Sequence, residues 1–137
     1  MSPEGGTFVD SNVLLDLFTE DPMWGEWSAA RLVEAFDRGP VVINQVVYGE
    51  VSLRFSPVEA LDEVLTPDRF VRANLPWAAA FLAARAHRDY RAAGGVRTST
   101  LPDFVIGAHA AVLGLSLLTR DAARYRTYYP TVHLVAP

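Results

Sequence analysis

Four short apolar runs along the chain have the near-continuous hydrophobic character of strands that are buried on both faces of a sheet. They are rich in β-branched and aromatic residues and cover Thr7–Val9, Val41–Ile43, Leu115–Leu118 and Val132–Val135. Such runs predict a small parallel sheet, which requires crossover connections between its strands.

Helical patterns fill the segments between these runs. Apolar side chains recur at helical spacing over Asn12–Phe18 and Trp24–Phe36, and Asn44 is placed to cap a helix that runs through Leu53. Further helix boundaries are predicted at a capping box formed by Ser56, Pro57 and Glu59, at Pro76 with a stop at Gly94 and Gly95, and at Pro102 and Asp103 with a stop at Gly114. The alternation predicts one α/β domain over residues 1–137, with three layers and a parallel sheet of four to five strands.

Cysteine and lysine are both absent from the 137 residues. The lack of cysteine excludes disulfides, thiolate metal sites and a cysteine nucleophile, and the lack of lysine excludes a P-loop and Schiff-base chemistry. The first residues have neither the basic nor the apolar region of a secretory signal, so we expect a soluble, cytoplasmic protein.

Charge is distributed unevenly along the chain. Residues Met1 to Asp68 carry 3 Arg and 13 acidic side chains, a net charge of −10, whereas Arg69 to Pro137 carry 9 Arg and 3 acidic side chains, a net charge of +6. The basic half could bind a polyanion and the acidic half a cation, or both could be solvated faces.

Four acidic residues follow or adjoin the predicted strand ends: Asp10, Glu50, Asp103 and Asp121. In a parallel sheet they would lie at one edge, where a pair of ionised carboxylates about 5 Å apart repels by roughly 3 kcal/mol at an effective dielectric near 20. A hard divalent cation such as Mg²⁺ or Mn²⁺ offsets that repulsion and can activate water for attack on a phosphodiester.

Each of these residues also has an ordinary structural interpretation. Asp103 is a suitable charge for a helix N-terminus, Asp121 could cap a helix, and Glu50 could be a solvated helix residue. Asp10 is harder to explain in this way, because a carboxylate directly after a buried strand pays a desolvation cost unless it is paired.

Three segments together resemble the PIN domains, and within them the VapC-type toxins of prokaryotic toxin–antitoxin pairs. These segments are FVDSNVLLDLF, INQVVYGEVS and LPDFVIGAHAAVLGLSLLTRDAARY, in the order and at the spacing of that family. The resemblance covers nearly the whole chain and implies a PIN-like fold and a Mg²⁺- or Mn²⁺-dependent endoribonuclease.

The resemblance also implies roles for individual residues. Asp10, Glu50, Asp103 and Asp121 match the four acidic catalytic positions, with Asp10, Asp103 and Asp121 as metal ligands and Asp10 and Asp103 as the principal ones. Ser11, Asn12 and Thr119 match polar positions that would orient the carboxylates. A small antitoxin partner and a homodimer are implied as well.

Basic and aromatic residues suggest where partners would bind. Arg85, Arg88 and Arg91 lie at helical spacing, with Arg97 in the following loop, and could contact RNA phosphates. An exposed arginine face that keeps an alanine-rich helix soluble is equally compatible with that pattern. Trp24 and Trp27 are candidates for either the core or an antitoxin groove.

The three histidines give no metal triad. We expect a packed structural role for His109, a surface position for His87 and a place in the last strand for His133.

A different class of function is also compatible with the sequence: a binding module whose acidic pocket receives a cationic side chain from a partner, with little or no nuclease activity. Cleavage that EDTA abolishes would separate the two. An aspartyl-phosphate phosphatase is disfavoured, because Asn12 stands where that chemistry requires a second aspartate and the chain has no lysine.

Overall fold

Within the described residues, 5–96 and 101–137 of the computed structural model, five parallel strands form one sheet with the order β3-β2-β1-β4-β5. The strands are β1 (Thr7–Val9), β2 (Val41–Ile43), β3 (Phe70–Arg72), β4 (Ser116–Leu118) and β5 (Leu134–Val135). In the central strand, Thr7 pairs with Val41 on one side and with Ser116 on the other. The predicted parallel sheet is confirmed.

Seven helices lie within the described residues and complete an α/β/α arrangement. They are α1 (Ser11–Phe18), α2 (Gly25–Arg38), α3 (Gln45–Ser52), α4 (Val58–Val64), α5 (Trp77–Ala92), α6 (Leu101–Leu113) and α7 (Ala123–Tyr128). The helix α1 packs on α2 and α3, and α5 packs along α6. In the described part of the chain, every helix is too short or too polar to cross a membrane.

The edge strand β3 and the short helix α7 are the elements that the hydrophobic pattern did not predict. Only Phe70 of β3 is buried, while Val71 and Arg72 are exposed, so this edge strand lacks the continuous apolar run of β1 and β2. The last strand is also shorter than expected, since it begins at Leu134 and leaves His133 outside.

The observed helix boundaries agree with some of the predicted caps and not with others. Asn44 caps α3 as expected, because its side-chain oxygen accepts a hydrogen bond from the Val47 N–H at 3.0 Å. The capping box at Ser56 is wrong: Pro57 is extended and occupies the N-cap position itself, which puts Ser56 one residue too early to cap α4. The stop at Gly114 is confirmed by its φ of +67°, a conformation that suits glycine.

Apolar side chains from the central strands and from α6 pack beneath the carboxyl edge of the sheet. Phe8 and Val9 of β1, Leu117 of β4, and Phe104 and Ile106 of α6 are all buried. Each such side chain contributes about 1.5–3 kcal/mol when it is transferred from water to the core. The residues that follow β1 and β4 are therefore attached to the buried core of the protein.

A buried ion pair fastens α1 to the segment after β4. Asp16 is buried and accepts hydrogen bonds from Arg120 Nε at 2.8 Å, from Arg120 Nη2 at 2.9 Å and from Ser28 Oγ at 2.8 Å. Ser28 belongs to α2, so three separate segments meet at one carboxylate. This contact fixes the position of the loop that begins at Thr119.

Replacement of Arg120 by leucine is expected to destabilise the protein, because it leaves the Asp16 charge buried without its cation. We expect a loss of about 2 kcal/mol, below the range for fully buried pairs, since the Arg120 side chain is 32% exposed. Urea unfolding followed by circular dichroism measures the change.

The matched control is Arg126→Leu, an exposed arginine of α7, which should change the unfolding free energy by less than about 0.5 kcal/mol. The double variant Asp16→Asn/Arg120→Leu should recover part of the loss. Equal stability of Arg120→Leu and Arg126→Leu would show that the pair contributes nothing.

Candidate functional site

Three buried polar residues stand directly after the three central strands. Asp10 follows β1, Asn44 follows β2 and Thr119 follows β4, and each side chain is at most 3% exposed. Because the strands are parallel, these positions lie at the same edge of the sheet, where α/β proteins generally bind their ligands.

The Asp10 carboxylate uses its two oxygens differently. Oδ2 accepts hydrogen bonds from Thr119 Oγ1 at 2.8 Å, from the Tyr125 hydroxyl at 2.9 Å and from Asn12 Nδ2 at 3.4 Å. Among the described residues, the hydrogen-bond partner of Oδ1 is the Ser11 hydroxyl alone, at 3.5 Å. One oxygen is thus fixed in place, and the other remains available to a ligand.

Glu50 lies next to this carboxylate through Ser11. The Ser11 hydroxyl donates to Glu50 Oε1 at 2.9 Å, much closer than its contact with Asp10. Partial burial raises the pKa of Glu50, the Ser11 hydrogen bond lowers it, and the charge of Asp103 raises it further, with a net upward shift. The structure therefore brings Glu50 to the predicted cluster.

Burial is also the main reason why Asp10 is hard to ionise. Desolvation and the charge of Asp103, with a smaller effect from Glu50, raise the pKa of Asp10 from 3.8 to about 6, although hydrogen bonds from Thr119 and Tyr125 act against the rise. An additional cation at this edge would relieve the cost of ionised Asp10.

Asp103 already has a cationic partner from its own chain. It lies in the first turn of α6, and its Oδ2 forms an ion pair with Nη2 of Arg124, a residue of α7. The Arg124 side chain is 19% exposed, so the pair is partly shielded from water.

Asp121 differs in burial from the other three predicted acidic residues, which are buried or partly buried. Its side chain is exposed, and its contacts with Thr119 come from its backbone: the Asp121 N–H donates to Thr119 Oγ1 at 3.1 Å. The Asp121 charge acts on Arg120 and Arg124. Asp10, Glu50 and Asp103 are thus brought together, while Asp121 lies at the rim.

The polar residues predicted to orient the carboxylates do contact them. Asn12 bridges Asp10 and Thr119, with its amide nitrogen 3.4 Å from Oδ2 of Asp10 and 3.4 Å from Oγ1 of Thr119. Its amide oxygen accepts the Arg120 N–H at 3.3 Å.

Tyr125 and Arg124 are site residues that the sequence analysis missed. Both belong to the TRDAARY segment quoted for the family resemblance, but they reach the carboxylates only because α7 folds back over the edge of the sheet. The signal that could have found them is an aromatic hydroxyl and a cation three to four residues beyond Asp121.

The donor chemistry of the cluster fits a hard divalent cation. Carboxylate oxygens are the ligands that Mg²⁺ and Mn²⁺ prefer, and Oδ1 of Asp10 is available. Within residues 5–96 and 101–137, no three His, Asp or Glu side chains converge closely enough to enclose a metal ion. Mg²⁺ is commonly held by one or two carboxylates and several waters, so Asp10 and Asp103 are the pair that fits it.

Three of the four predicted RNA-binding arginines, Arg85, Arg88 and Arg91, lie on α5. The Arg85 guanidinium lies 4.3 Å from the Phe81 ring centroid, and Arg88 pairs with Asp89 at 3.2 Å. Arg91 is exposed near the end of the helix, and Arg97 lies outside the described residues.

Trp24 and Trp27 are partly buried at the start of α2. Their rings meet edge to face with centroids 6.1 Å apart, and the Arg120 guanidinium lies 5.8 Å from the Trp24 ring. Neither ring belongs to the fully buried core, so part of this surface is accessible to a partner.

The histidines lie apart from the carboxylates. His109 is fully buried and accepts a hydrogen bond from Asn44 Nδ2 at 3.0 Å, and burial lowers its pKa. His133 is exposed beside Ser116. The expected surface position of His87 is wrong, because its ring is half-buried against Phe104.

Comparison with solved structures shows the same fold in toxin–antitoxin complexes. A chain of the VapBC2 complex from Rickettsia felis bound to promoter DNA has a TM-score of 0.71 at 13% identity, covering 96% of this chain and 98% of that one. A chain of VapBC-1 from nontypeable Haemophilus influenzae gives 0.70 at 15% identity, with 95% and 96% covered. A toxin–antitoxin complex from Klebsiella pneumoniae gives 0.68 at 22%, with 95% and 96% covered.

Sequence comparison gives a family and no individual relative. No curated protein matches the chain. Residues 7–128 match the PIN domain model, and this range contains the carboxylate cluster and every residue that contacts it. The chain therefore belongs to the PIN domain family.

Proposed function

We propose that the chain is a divalent-metal-dependent endoribonuclease, the VapC-type toxin of a toxin–antitoxin pair. Membership of the PIN domain family supports a hydrolase, because PIN domains are generally nucleases. The observation that carries the proposal is the buried Asp10 carboxylate, which has one available oxygen and lies beside Asp103 and Glu50.

In the proposed mechanism, Asp10 and Asp103 would hold Mg²⁺ or Mn²⁺ as principal ligands, with Asp121 as the third proposed ligand. The bound ion would supply an activated water and polarise the phosphodiester. Thr119, Tyr125 and Asn12 keep the Asp10 carboxylate in one orientation. Glu50, whose pKa is raised, accepts a proton from the attacking water.

RNA would approach from the C-terminal half of α5. His87 and Tyr90 of this helix pack against Phe104, the residue after Asp103, so this half of α5 lies beside the acidic end of α6. Among the described arginines of this helix, Arg91 is therefore the proposed phosphate contact nearest the site, and Arg85 and Arg88 would extend the path. Arg97, which lies outside the described residues, stays a predicted phosphate contact. Such contacts would position RNA without selecting its sequence.

The partner of this toxin would be a small antitoxin, and the toxin itself would form a homodimer in the cytoplasm. Structures similar in fold include VapBC and FitAB complexes, which supports the antitoxin. The partly accessible surface at Trp24 and Trp27 is its proposed docking site. On α5, Trp77 is 93% exposed and Phe81 is largely exposed, which supports a self-association surface.

A partner-binding module without nuclease activity is the second candidate. The observation in its favour is the ion pair between Arg124 and Asp103, which shows that the carboxylate cluster accepts a guanidinium. EDTA-sensitive cleavage of RNA by the purified chain decides against this candidate.

Asp10→Asn and Asp103→Asn should each reduce RNA cleavage by more than about 100-fold, because each removes a charged ligand rather than a residue that merely supports one. Cleavage of a labelled RNA by the purified protein in Mn²⁺, with and without EDTA, measures the effect. Glu63→Gln, an exposed acidic residue of α4, is the matched control and should retain full activity. Cleavage that survives either substitution or EDTA would contradict the metal mechanism.

The stability of the metal-free protein should depend on pH through Asp10. Since the pKa of Asp10 rises from 3.8 in the unfolded chain to about 6 in the fold, the folded state binds its proton more tightly. The unfolding free energy should therefore fall by roughly 2 kcal/mol between pH 4 and pH 7 on account of this group. Asp10→Asn removes that part of the dependence.

Urea unfolding in EDTA over this pH range compares the wild type with Asp10→Asn. The variant should be the more stable protein at pH 7, and the difference should disappear toward pH 4. Asp103→Asn should show less gain, because it also breaks the pair with Arg124. Parallel profiles for wild type and Asp10→Asn would show that burial of this carboxylate carries no cost.

Expression of the wild type without an antitoxin should stop bacterial growth, whereas Asp10→Asn at the same protein level should not. Growth curves after induction, with immunoblots for protein level, make the comparison. Unhindered growth in the presence of soluble, active wild-type protein would contradict the assignment as a toxin.

A further inference from the structure

The side chain of Arg124 places a positive charge inside the carboxylate cluster. Nη2 contacts Oδ2 of Asp103, and the charge of Asp103 in turn acts on Asp10 and Glu50. Arg124 therefore stands where the proposed divalent cation would act, on a carboxylate that the cation requires.

We propose that Arg124 is an internal counter-ion that competes with the divalent cation for Asp103 and leaves this carboxylate when the metal binds. The inference rests on the proposed metal-dependent function and adds a residue that controls metal affinity. It assigns to Arg124 a positioning role, since the side chain acts through Asp103.

Competition follows from distance and charge. A carboxylate oxygen that ligates Mg²⁺ or Mn²⁺ lies about 2.0–2.1 Å from the ion. A guanidinium in contact with the same Oδ2 would then face a dication across a single oxygen atom, in a setting shielded from water. Like charges that close repel strongly, so the two cations exclude each other from that oxygen.

Comparison with the pair of Arg120 and Asp16 shows why Arg124 is the arginine that moves. Arg120 makes two contacts with Asp16, which is buried and also bonded to Ser28. Arg124 makes a single contact with Asp103 through Nη2, and its buried Nε has no hydrogen-bond partner among the described residues. An unsatisfied buried donor weakens the present position and lowers the cost of leaving it.

The fold provides space for the displaced side chain. Arg124 lines a cleft of about 340 Å³ between the end of α5 and α7, together with Tyr90, Gly94, Gly95, Thr127 and Tyr128. If the Arg124 guanidinium rotates from Asp103 into this cleft, it becomes solvated while its backbone remains part of α7.

The test measures the affinity of the metal-free full-length chain for Mn²⁺ by calorimetry, with Arg124→Met and the matched control Arg126→Met. Arg126 is an exposed arginine of the same helix, so its loss changes the net charge equally without touching Asp103. Arg124→Met should bind Mn²⁺ about tenfold more tightly than wild type, which corresponds to removal of one competing charged contact. Arg126→Met should match wild type.

A second readout is thermal stability. In EDTA, Arg124→Met should unfold at a lower temperature than wild type, because Asp103 loses its cation. Saturating Mn²⁺ should raise its midpoint by more than it raises that of wild type. If Arg124→Met does not fold in EDTA, Arg124→Gln serves in its place and should show a smaller tightening in the same direction, since glutamine keeps a neutral donor.

The outcomes separate this inference from the proposed function. If wild type binds Mn²⁺ and Arg124→Met binds it with the same or lower affinity, the proposed competition by Arg124 is wrong, and the proposed metal site is retained. If wild type and all variants bind no Mn²⁺ at millimolar concentration, both the metal site and the competition are wrong.

Discussion

The burial of Asp10 beside the charges of Asp103 and Glu50 is the constraint around which the carboxyl edge of the sheet is arranged. A rise in the pKa of Asp10 from 3.8 to about 6 corresponds to about 3 kcal/mol, a large part of the stability of a small domain. Three hydrogen bonds to Oδ2 of Asp10, the Ser11 contact to Glu50 and the Arg124 pair with Asp103 all offset this cost.

The residues beneath the carboxylate cluster are fully packed and paired, whereas the cluster itself is not. Apolar side chains of β1, β4 and α6 and the buried pair of Asp16 with Arg120 hold the edge rigidly. Above them are groups that could accept or donate further contacts: Oδ1 of Asp10, the exposed carboxylate of Asp121 and the singly bonded Arg124. A well-packed base with unsatisfied groups above it suits the proposed metal site, because ligands that are already positioned bind a cation without reorganisation.

The sequence predicts best what depends on local pattern. Continuous apolar runs locate β1 and β2, and strand parallelism then brings Asp10 to the edge. The edge strand β3 was not predicted, because a largely exposed strand has no clear pattern of apolar residues. The N-cap of α4 was misplaced, because the choice between Ser56 and Pro57 depends on a shift of one residue. Tyr125 and Arg124 escape it because their contacts arise only when α7 folds back over Asp10 and Asp103.

The central claim is that burial makes ionised Asp10 unfavourable and that a bound divalent cation stabilises the ionised form. Proton release on Mn²⁺ binding tests this claim most directly. Calorimetric titration of the metal-free protein in two buffers of different ionisation enthalpy gives the number of protons released. With the pKa of Asp10 at about 6, about half a proton should be released at pH 6 and almost none at pH 8, and Asp10→Asn should abolish the release. Mn²⁺ binding with the same proton release in wild type and Asp10→Asn would contradict the account.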